Sequence, residues 1–532
     1  MIPTDTVDPG QSTGSPGFTP RDLTPLAFPH PVVELEVRET HISWIVLTGP
    51  FAYKIKKGVR FDFLDASTLE QRHRLCEEEL RLNRRLVDDL YLDVVPIVRE
   101  AGVLRVGGQG HIVEYAVRMR QFEAAQELPT LLAHGAVSGE EFIDLAGRLA
   151  EFHLRAPVAP ACGDFPHTRQ LYEAVLGNLA ILLSHLDTQT LLPEMTPLVD
   201  WTHDYLRDSL GTLRSREQHG AIRECHGDLH AHNVVRWVGR LVPFDCLEFD
   251  PKLRWIDVIN DIAFLVMDLA AHDRADLAFV FLDAYLARTG DYEGARHLGF
   301  YAVYRALVRA MVDSLGAEHS PARRGEYRAR LSLRINAART YVHPHRPTLI
   351  IMHGLSGSGK SWLSERLVAP LAAIRIRSDV ERKRMAGLGS DTFAEYFAQG
   401  LYRPEMTRRT YARLLACAES CLMGGINTIV DAAFLTRSDR HSFQELAERV
   451  GSTFTIVACQ ADPSTMVRRL EDRAQRHTDP SDANVAILLQ QPQVTDLLDD
   501  GEQPNTLVID TTDTKARQKA LAAIQCRVAE AS

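Results

Sequence analysis

Several features are missing from this 532-residue chain, and each absence narrows what it can be. No apolar run approaches the roughly 20 residues that a membrane-spanning helix requires, so no membrane partner is expected. The opening "MIPTDTVDPGQSTGSPGFTP" has neither a basic n-region nor an apolar h-region. It reads as a disordered Pro/Gly/Ser/Thr leader over residues 1–30, not as a secretory signal. Cysteine is scarce, with eight residues and no C-x-x-C pair. Reduced thiols in a cytoplasmic protein is the economical reading, and the four-residue spacing of Cys417 and Cys421 suits packing on a helix. An excess of positive charge is also missing. The net charge of -10 gives no reason to expect nucleic acid or an anionic membrane surface. What remains is ordinary for a globular protein: 45% hydrophobic and 24% charged residues. The length is too great for one hydrophobic core, so two or three domains are expected.

The texture of the chain changes along its length. Residues 32–118 are strand-rich with one helix. "HISWIVLTG" and "FAYKIKK" are β-like runs joined at a turn at Thr48-Gly49-Pro50, and "STLEQRHRLCEEELRLNRRLVDDL" carries leucines at helical spacing. "VLRVGGQGHIVEYAVRM" predicts a second hairpin around Gly107, Gly108 and Gly110. Residues from about 137 to 215 and from 255 to 340 are helical, with a short β-like segment between. "ARTYVHPHRPTL", with two prolines, marks a boundary. After it, "TLIIMHG", "AAIRIRSD", "NTIVDAAF", "STFTIVACQA" and "NTLVIDTT" alternate with helices, which predicts a parallel sheet covered on both faces. The expected division is an N-lobe at 31–118, a C-lobe at 123–340, a linker at 341–347 and a last domain at 348–532.

The segment "ECHGDLHAHNVV" at 224–235 crowds three histidines and an aspartate together. His226, His230 and His232 have a spacing that zinc could use. A different reading needs no zinc. Phosphoryl transfer in the kinase manner requires an aspartate that receives the acceptor's hydroxyl proton and an asparagine five residues later on Mg²⁺. A further aspartate after the next hairpin also grips Mg²⁺. Asp228, Asn233 and Asp245 meet that order, with "VVRWVGRLVPF" as the hairpin. Upstream, "FAYKIKK" supplies Lys54, with Lys56 on the same face, and "CEEELRL" supplies Glu79 or its neighbour Glu78. Met119 in "MRQF" stands where a hinge would meet adenine. These residues resemble the aminoglycoside phosphotransferase-like branch of the protein-kinase fold, over roughly 32–335. The resemblance implies an α+β bilobal domain that uses ATP and Mg²⁺. One departure is the lack of a G-x-G-x-x-G before Lys54; "RETHIS" occupies that turn, leaving Ser43 and backbone amides to hold phosphate.

A second signal lies at 354–361, where "GLSGSGKS" fits the phosphate-loop pattern between an expected strand and helix. Gly354, Gly357, Ser358 and Gly359 would turn backbone amides toward phosphate. Lys360 would reach the β/γ-phosphates, and the Ser361 hydroxyl would meet Mg²⁺. Asp431 ends the third strand as a candidate metal-water carboxylate. Asp379 ends the second at the carboxyl edge of the sheet, where a simple helix N-cap is the rival reading. Arg469, Arg473 and Arg476 lie on an arginine-rich helix that either closes over phosphates as a lid or faces solvent. This half resembles the zeta-toxin, gluconate-kinase and polynucleotide-kinase group of P-loop proteins, over roughly 346–515. In that resemblance Asp379 takes the acceptor's proton and Arg382 orients the acceptor.

The whole chain resembles bacterial proteins that fuse a phosphotransferase-like domain to an α/β P-loop ATPase of the AAA type. The expected activity is a two-site, ATP- and Mg²⁺-dependent transfer of phosphoryl groups to hydroxyls of small molecules. Two alternatives stand beside it: a single active kinase governed by a P-loop nucleotide switch, and a C-terminal polynucleotide or nucleotide kinase, for which "ERKRMAGL" is locally basic.

Overall fold

A computed structural model describes residues 18–61, 64–160, 163–185, 192–319, 323–342, 346–389, 403–476 and 485–531. The chain divides into two compact units, Met1–Asp268 with Tyr304–Asn336, and Leu269–Val303 with Ala337–Ser532. Among the described residues no helix is long and apolar enough to cross a membrane.

The first unit begins with strands β1 (Glu36–Glu39), β2 (Ser43–Leu47) and β3 (Phe51–Lys56), a small pair β4 (Arg60–Phe61) and β5 (Leu64–Asp65), then β6 (Tyr91–Glu100), β7 (Val103–Val106) and β8 (His111–Arg120). Six of them form one antiparallel sheet in the order β1-β2-β3-β8-β6-β7. The turn at Thr48-Gly49-Pro50 joins β2 to β3 as the sequence suggests, with Leu47 opposite Ala52. The expected hairpin at Gly107–Gly110 is not one. β7 pairs with β6 through a two-residue turn at Ala101-Gly102, and β8 lies on the other side of β6. The glycines serve that crossing: a Cβ on Gly110 would meet the Arg99 carbonyl oxygen at 2.6 Å. Two short apolar runs with glycines between them look alike in sequence whether they pair with each other or with a third strand.

Strand alternation gives the sheet two different faces. On one, Ile45, Ala52, Val117 and Met119 pack with Cys76 and Leu80 of the helix Leu69–Arg84 and with Val242 and Phe244. That helix is started by a capping box between Thr68 and Gln71. On the other face, Val46, Tyr53 and Ile55 pack under Phe18, Leu23, Ala27 and Phe28. The expected leader therefore ends earlier than residue 30. Residues 1–17 lie outside the described residues, but four apolar side chains between 18 and 28 are core. The Pro/Gly/Ser-rich composition of the start concealed them.

The rest of this unit is helical, as expected, with two small antiparallel pairs. β9 (Ile222–Glu224) pairs with β12 (Trp255–Asp257), and β10 (Val234–Trp237) with β11 (Arg240–Pro243) across a two-residue turn at Val238-Gly239. The "VVRWVGRLVPF" hairpin is thus as read.

Among its described residues the second unit holds five parallel strands, β13 (Thr348–His353), β14 (Ala373–Arg377), β15 (Asn427–Asp431), β16 (Thr453–Gln460) and β17 (Thr506–Asp510), in the order β14-β15-β13-β16-β17. All five runs named from sequence are strands. The division of the chain differs from expectation, because residues 269–303 belong to this unit and not to the preceding helical block. The helix Ala275–Thr289 lies along edge strand β14, where the buried Asp283 carboxylate accepts the Arg375 N–H at 2.6 Å. Arg384 and Arg413 donate to carbonyls at the end of the same helix, at Arg288 (3.2 Å) and Gly290 (2.8 Å). An apolar stripe announces a buried helix but not which sheet it covers. Of the expected 341–347 linker, 343–345 lie outside the described residues, and the second unit resumes at Ala337.

Asp283→Ala leaves the Arg375 amide without its buried acceptor. It is expected to lower the stability of the second unit by about 1–3 kcal/mol, read as a shift in the urea midpoint of the fluorescence of Trp362, the one tryptophan of that unit.

Candidate functional site

Register places Lys54 opposite Ile45 and Lys56 opposite Ser43, so both lysines share the face that meets the helix Leu69–Arg84. Glu79 of that helix is fully buried and takes both: Oε1 lies 2.8 Å from Lys54 Nζ and Oε2 lies 2.6 Å from Lys56 Nζ. Lys54 also pairs with Asp245, and Lys56 reaches Glu248 at 2.5 Å. The alternative Glu78 is occupied elsewhere, with Arg81 at 2.7 Å and Arg254 at 2.6 Å. Sequence left open which lysine and which glutamate pair; in the structure one glutamate serves both lysines.

Burial opposes the charge on Asp245, but Lys54 outweighs it and holds the carboxyl down at about 2. Burial likewise opposes the charge on Lys54, and Asp245 and Glu79 outweigh it, driving its pKa well up. Burial raises Glu248 despite Lys56 beside it. Asp245 sits at φ +64°, a left-handed conformation that costs a non-glycine residue about 1 kcal/mol or more. Its turn is pinned on both sides: the Asp245 N–H donates to Tyr91 Oη at 3.1 Å and the Cys246 N–H to Asn83 Oδ1 at 2.9 Å. Tyr91, Asn83 and Glu248 were not anticipated, since nothing in their local sequence announces a partner more than 150 residues away.

The loop carrying Asp228 is held from beneath. Asp261, fully buried, accepts the His226 N–H at 3.1 Å and the Gly227 N–H at 2.8 Å, with His153 Nε2 at 3.1 Å. Asn233 Nδ2 donates to the Asp228 carbonyl and to Asp228 Oδ2, each at 2.9 Å. The Phe244 N–H donates to the Asn233 carbonyl and the Leu247 N–H to the His226 carbonyl, both at 3.0 Å. Those two bonds tie the Asp228 loop to the Asp245 turn.

The three histidines do not converge on a metal. His226 donates from Nε2 to the Phe244 carbonyl at 2.9 Å, and burial keeps its ring neutral. His230 Nε2 lies 3.4 Å from Asp228 Oδ2. Burial would raise Asp228, yet the His230 ring and Arg309 hold it well below the usual carboxylate range. His153, Cys225 and Asp261 do lie close enough for one ion. The Asp261 oxygens are already engaged by two amides and His153, however, and burial drives the Cys225 thiol well up.

Two further residues complete this face. Met119 is buried near the end of β8 against Ala52, Tyr91 and Phe244, just before Gln121, whose Oε1 accepts the Thr48 and Gly49 N–H groups. Ser43 is fully buried, and its Oγ has no partner. An orphaned hydroxyl on the lysine-bearing face suits a polar ligand such as phosphate.

In the second unit, Gly354, Gly357 and Gly359 take φ of +139°, +81° and +89°. Added Cβ atoms would strike the Cys459 carbonyl at 2.4 Å, the Met466 carbonyl at 2.7 Å and Thr511 Oγ1 at 2.9 Å. Ser358 is buried in the same loop, its Oγ unpartnered. Lys360 folds onto the loop, donating to the Gly354 and Leu355 carbonyls at 2.7 and 2.8 Å, and burial lowers its pKa. Ser361 Oγ donates to Asp431 Oδ1 at 3.3 Å and Ser364 Oγ to Asp431 Oδ2 at 3.0 Å, so the two expected metal-side residues meet. Gln491, unforeseen, closes the loop from outside by bonding the Ser356 N–H at 2.8 Å and its Oγ at 3.0 Å.

Asp379 pairs with Arg382 at 2.9 Å. It is not a cap, because the helix Ser378–Met385 has Arg377 as its N-cap and Asp379 already lies within the first turn. Arg469 is a brace and not a lid, donating to the Gly357 carbonyl at 3.1 Å and the Thr511 carbonyl at 2.6 Å. Arg473, on the same helix, is near enough to lower Lys360 through its charge. The Arg476 side chain lies outside the described residues.

The family model for the AAA domain matches residues 349–498. Uncharacterized proteins of Mycobacterium tuberculosis (strain H37Rv) and Mycobacterium bovis are each 30% identical over 464 residues, spanning 86% of this chain and 91% of theirs. Two solved structures are more distant. A putative kinase from Chloroflexus aurantiacus is 23% identical over 35% of this chain and 100% of its own, with a TM-score of 0.28. A choline/ethanolamine kinase family protein from Mesorhizobium loti is 14% identical over 58% of this chain and 92% of its own, with a TM-score of 0.33.

Glu79→Ala removes one of the two carboxylates that face each of two buried lysines. It is expected to cost the first unit about 3–5 kcal/mol, against at most about 1 kcal/mol for removal of a solvent-exposed partner such as Glu36. Urea unfolding followed by circular dichroism checks the contrast.

Proposed function

The chain belongs to the family of these mycobacterial proteins, and from its two sites we propose that it is an ATP- and Mg²⁺-dependent phosphotransferase acting on hydroxyl groups of small molecules. One observation carries the reading. Lys54, Glu79 and Asp245, distant in sequence, meet in one buried charge cluster beside a loop that holds Asp228 and Asn233 together. A structural ion-pair network needs no such neighbour, whereas phosphoryl transfer needs a base, oxygen ligands for a hard cation and a cation for the phosphates.

In the first unit, Asn233 and Asp245 offer the hard oxygens that suit Mg²⁺, and Lys54, with Ser43, binds the phosphates. Met119, near the end of β8, contacts the adenine ring in this reading. Mg²⁺·ATP supplies the γ-phosphoryl group and the neutralisation of its charge. Asp228 holds the acceptor hydroxyl and takes its proton on the carboxylate. His230 and Arg309 hold it as the carboxylate at neutral pH, the form that can accept a proton. Glu79 fixes the Lys54 ammonium in place, and the strained turn at Asp245 keeps that carboxylate against Lys54.

In the second unit, the amides of the Gly354–Gly359 loop and Lys360 bind phosphate, and Ser361 and Asp431 offer metal-side oxygens. The Ser358 hydroxyl, buried and unpartnered, adds a donor within the loop. Asp379 takes the second acceptor's proton, Arg382 orients that acceptor, and Arg473 adds positive charge over the phosphates. The two units thus contain two complete sets of groups for one kind of chemistry.

The test is turnover of labelled ATP by wild type, Asp228→Ala, Lys360→Ala and the double variant. Each single change is expected to lower turnover at its own site by roughly 10²–10⁴-fold while the other site continues. Only the double variant falls to background. If Lys360→Ala alone removes all turnover, two independent sites is wrong.

A further inference from the structure

Around Asp228 the first unit presents arginines. Arg309 Nη1 lies 3.1 Å from His230 Nε2, and that nitrogen is itself 3.4 Å from Asp228 Oδ2. Arg305, four residues earlier on the same helix, is 6% exposed and donates to the Gly227 carbonyl at 3.2 Å, next to the base. Its Nη2 is buried without a partner. Arg334 donates to Asp268 Oδ1 at 2.7 Å, and Asp268 Oδ2 accepts the Ala231 N–H of the same loop at 2.9 Å. Asp313, one turn beyond Arg309, already faces Arg330 at 3.1 Å.

The aromatic rings in this region tell the same way. A cationic acceptor is held by carboxylates or by ring faces. Here the Arg305 guanidinium itself lies over Phe264 at 4.9 Å and over Tyr304 at 5.6 Å, so the protein's own cation has taken those faces. The ring of His230, packed edge-on against Phe264 at 5.2 Å, stands between Arg309 and Asp228. It keeps the guanidinium from pairing directly with the base, and Arg309 remains half-buried, with part of its surface exposed.

Resting on the phosphotransferase reading of the first site, we propose that its hydroxyl acceptor is an anion, with a phosphate or carboxylate near the reacting hydroxyl that Arg309 binds. A planar guanidinium suits both groups through paired hydrogen bonds, and a positive acceptor placed there would meet like charge. In the transfer the acceptor oxygen gains the phosphoryl group and its proton passes to Asp228. The bond from phosphorus to the bridging oxygen breaks, and that oxygen leaves with the diphosphate. Arg309 takes no proton; it is a binding residue for the acceptor.

The test uses the full chain with Lys360→Ala, which silences the second site, labelled ATP and Mg²⁺. A bacterial metabolite extract is separated beforehand by ion exchange into anionic, neutral and cationic fractions. Labelled product that depends on Asp228 is expected from the anionic fraction alone. Arg309→Gln is expected to lower kcat/KM for that acceptor fraction about 100-fold while leaving the KM for ATP unchanged, and Arg309→Lys to restore part of the loss. Asp228-dependent product from the neutral or cationic fraction overturns the proposal, as does Arg309→Gln that transfers to anions at the wild-type rate. No Asp228-dependent product from any fraction contradicts the phosphotransferase reading of this site itself, and with it the charge assignment.

Discussion

One buried carboxylate organises the first unit. Glu79 reaches two lysines on one strand, and those lysines reach Asp245 and Glu248 on the turn after β11. Charges in an interior are tolerated only when each has its partners, so the sheet, the helix Leu69–Arg84 and the 245–248 turn must close together or not at all. That requirement sets the position of Asp245 relative to Lys54. The bonds from Phe244 to Asn233 and from Leu247 to His226 then fix the Asp228 loop relative to both. The geometry of the site is therefore a consequence of satisfying three carboxylates and two ammonium groups out of water.

The second unit solves a similar problem with backbone in place of charge. Its loop turns three times through left-handed glycines because two neighbouring carbonyls and the Thr511 side chain leave no room for a Cβ. Arg469, Thr511 and Gln491 then hold the loop from outside, and Lys360 folds back onto its carbonyls. The edge of its sheet is covered by the helix Ala275–Thr289, which meets a backbone amide of β14 with a carboxylate. An uncovered edge strand is a hazard for aggregation, and the helix removes it.

Much of this was legible in the sequence, for reasons that differ by residue. Asp228, Asn233 and Asp245 were legible as neighbours, because their spacing on a loop and a hairpin brings them together. Gly354 to Ser361 were legible because a phosphate loop is local, its glycines and lysine contiguous. Glu79 was legible only as one of a pair, since choosing it over Glu78 depends on where Arg81 and Arg254 lie. What was not legible is long-range. The β6–β7 pairing, the core side chains at 18–28 and the transfer of 269–303 to the second unit depend on which surfaces meet, and hydrophobic spacing does not encode that. Arg469 failed as a lid for the same reason, because its partners are carbonyls at Gly357 and Thr511.

Two sets of phosphate-handling groups in one polypeptide is the central claim, and nucleotide stoichiometry tests it most directly. Native mass spectrometry of the full chain with Mg²⁺ and a non-hydrolysable ATP analogue counts the nucleotides bound per chain. Two are expected for the wild type, one for Lys360→Ala and one for Asp245→Asn. A wild-type chain that never binds more than one nucleotide, or a Lys360→Ala chain that binds none, would contradict it.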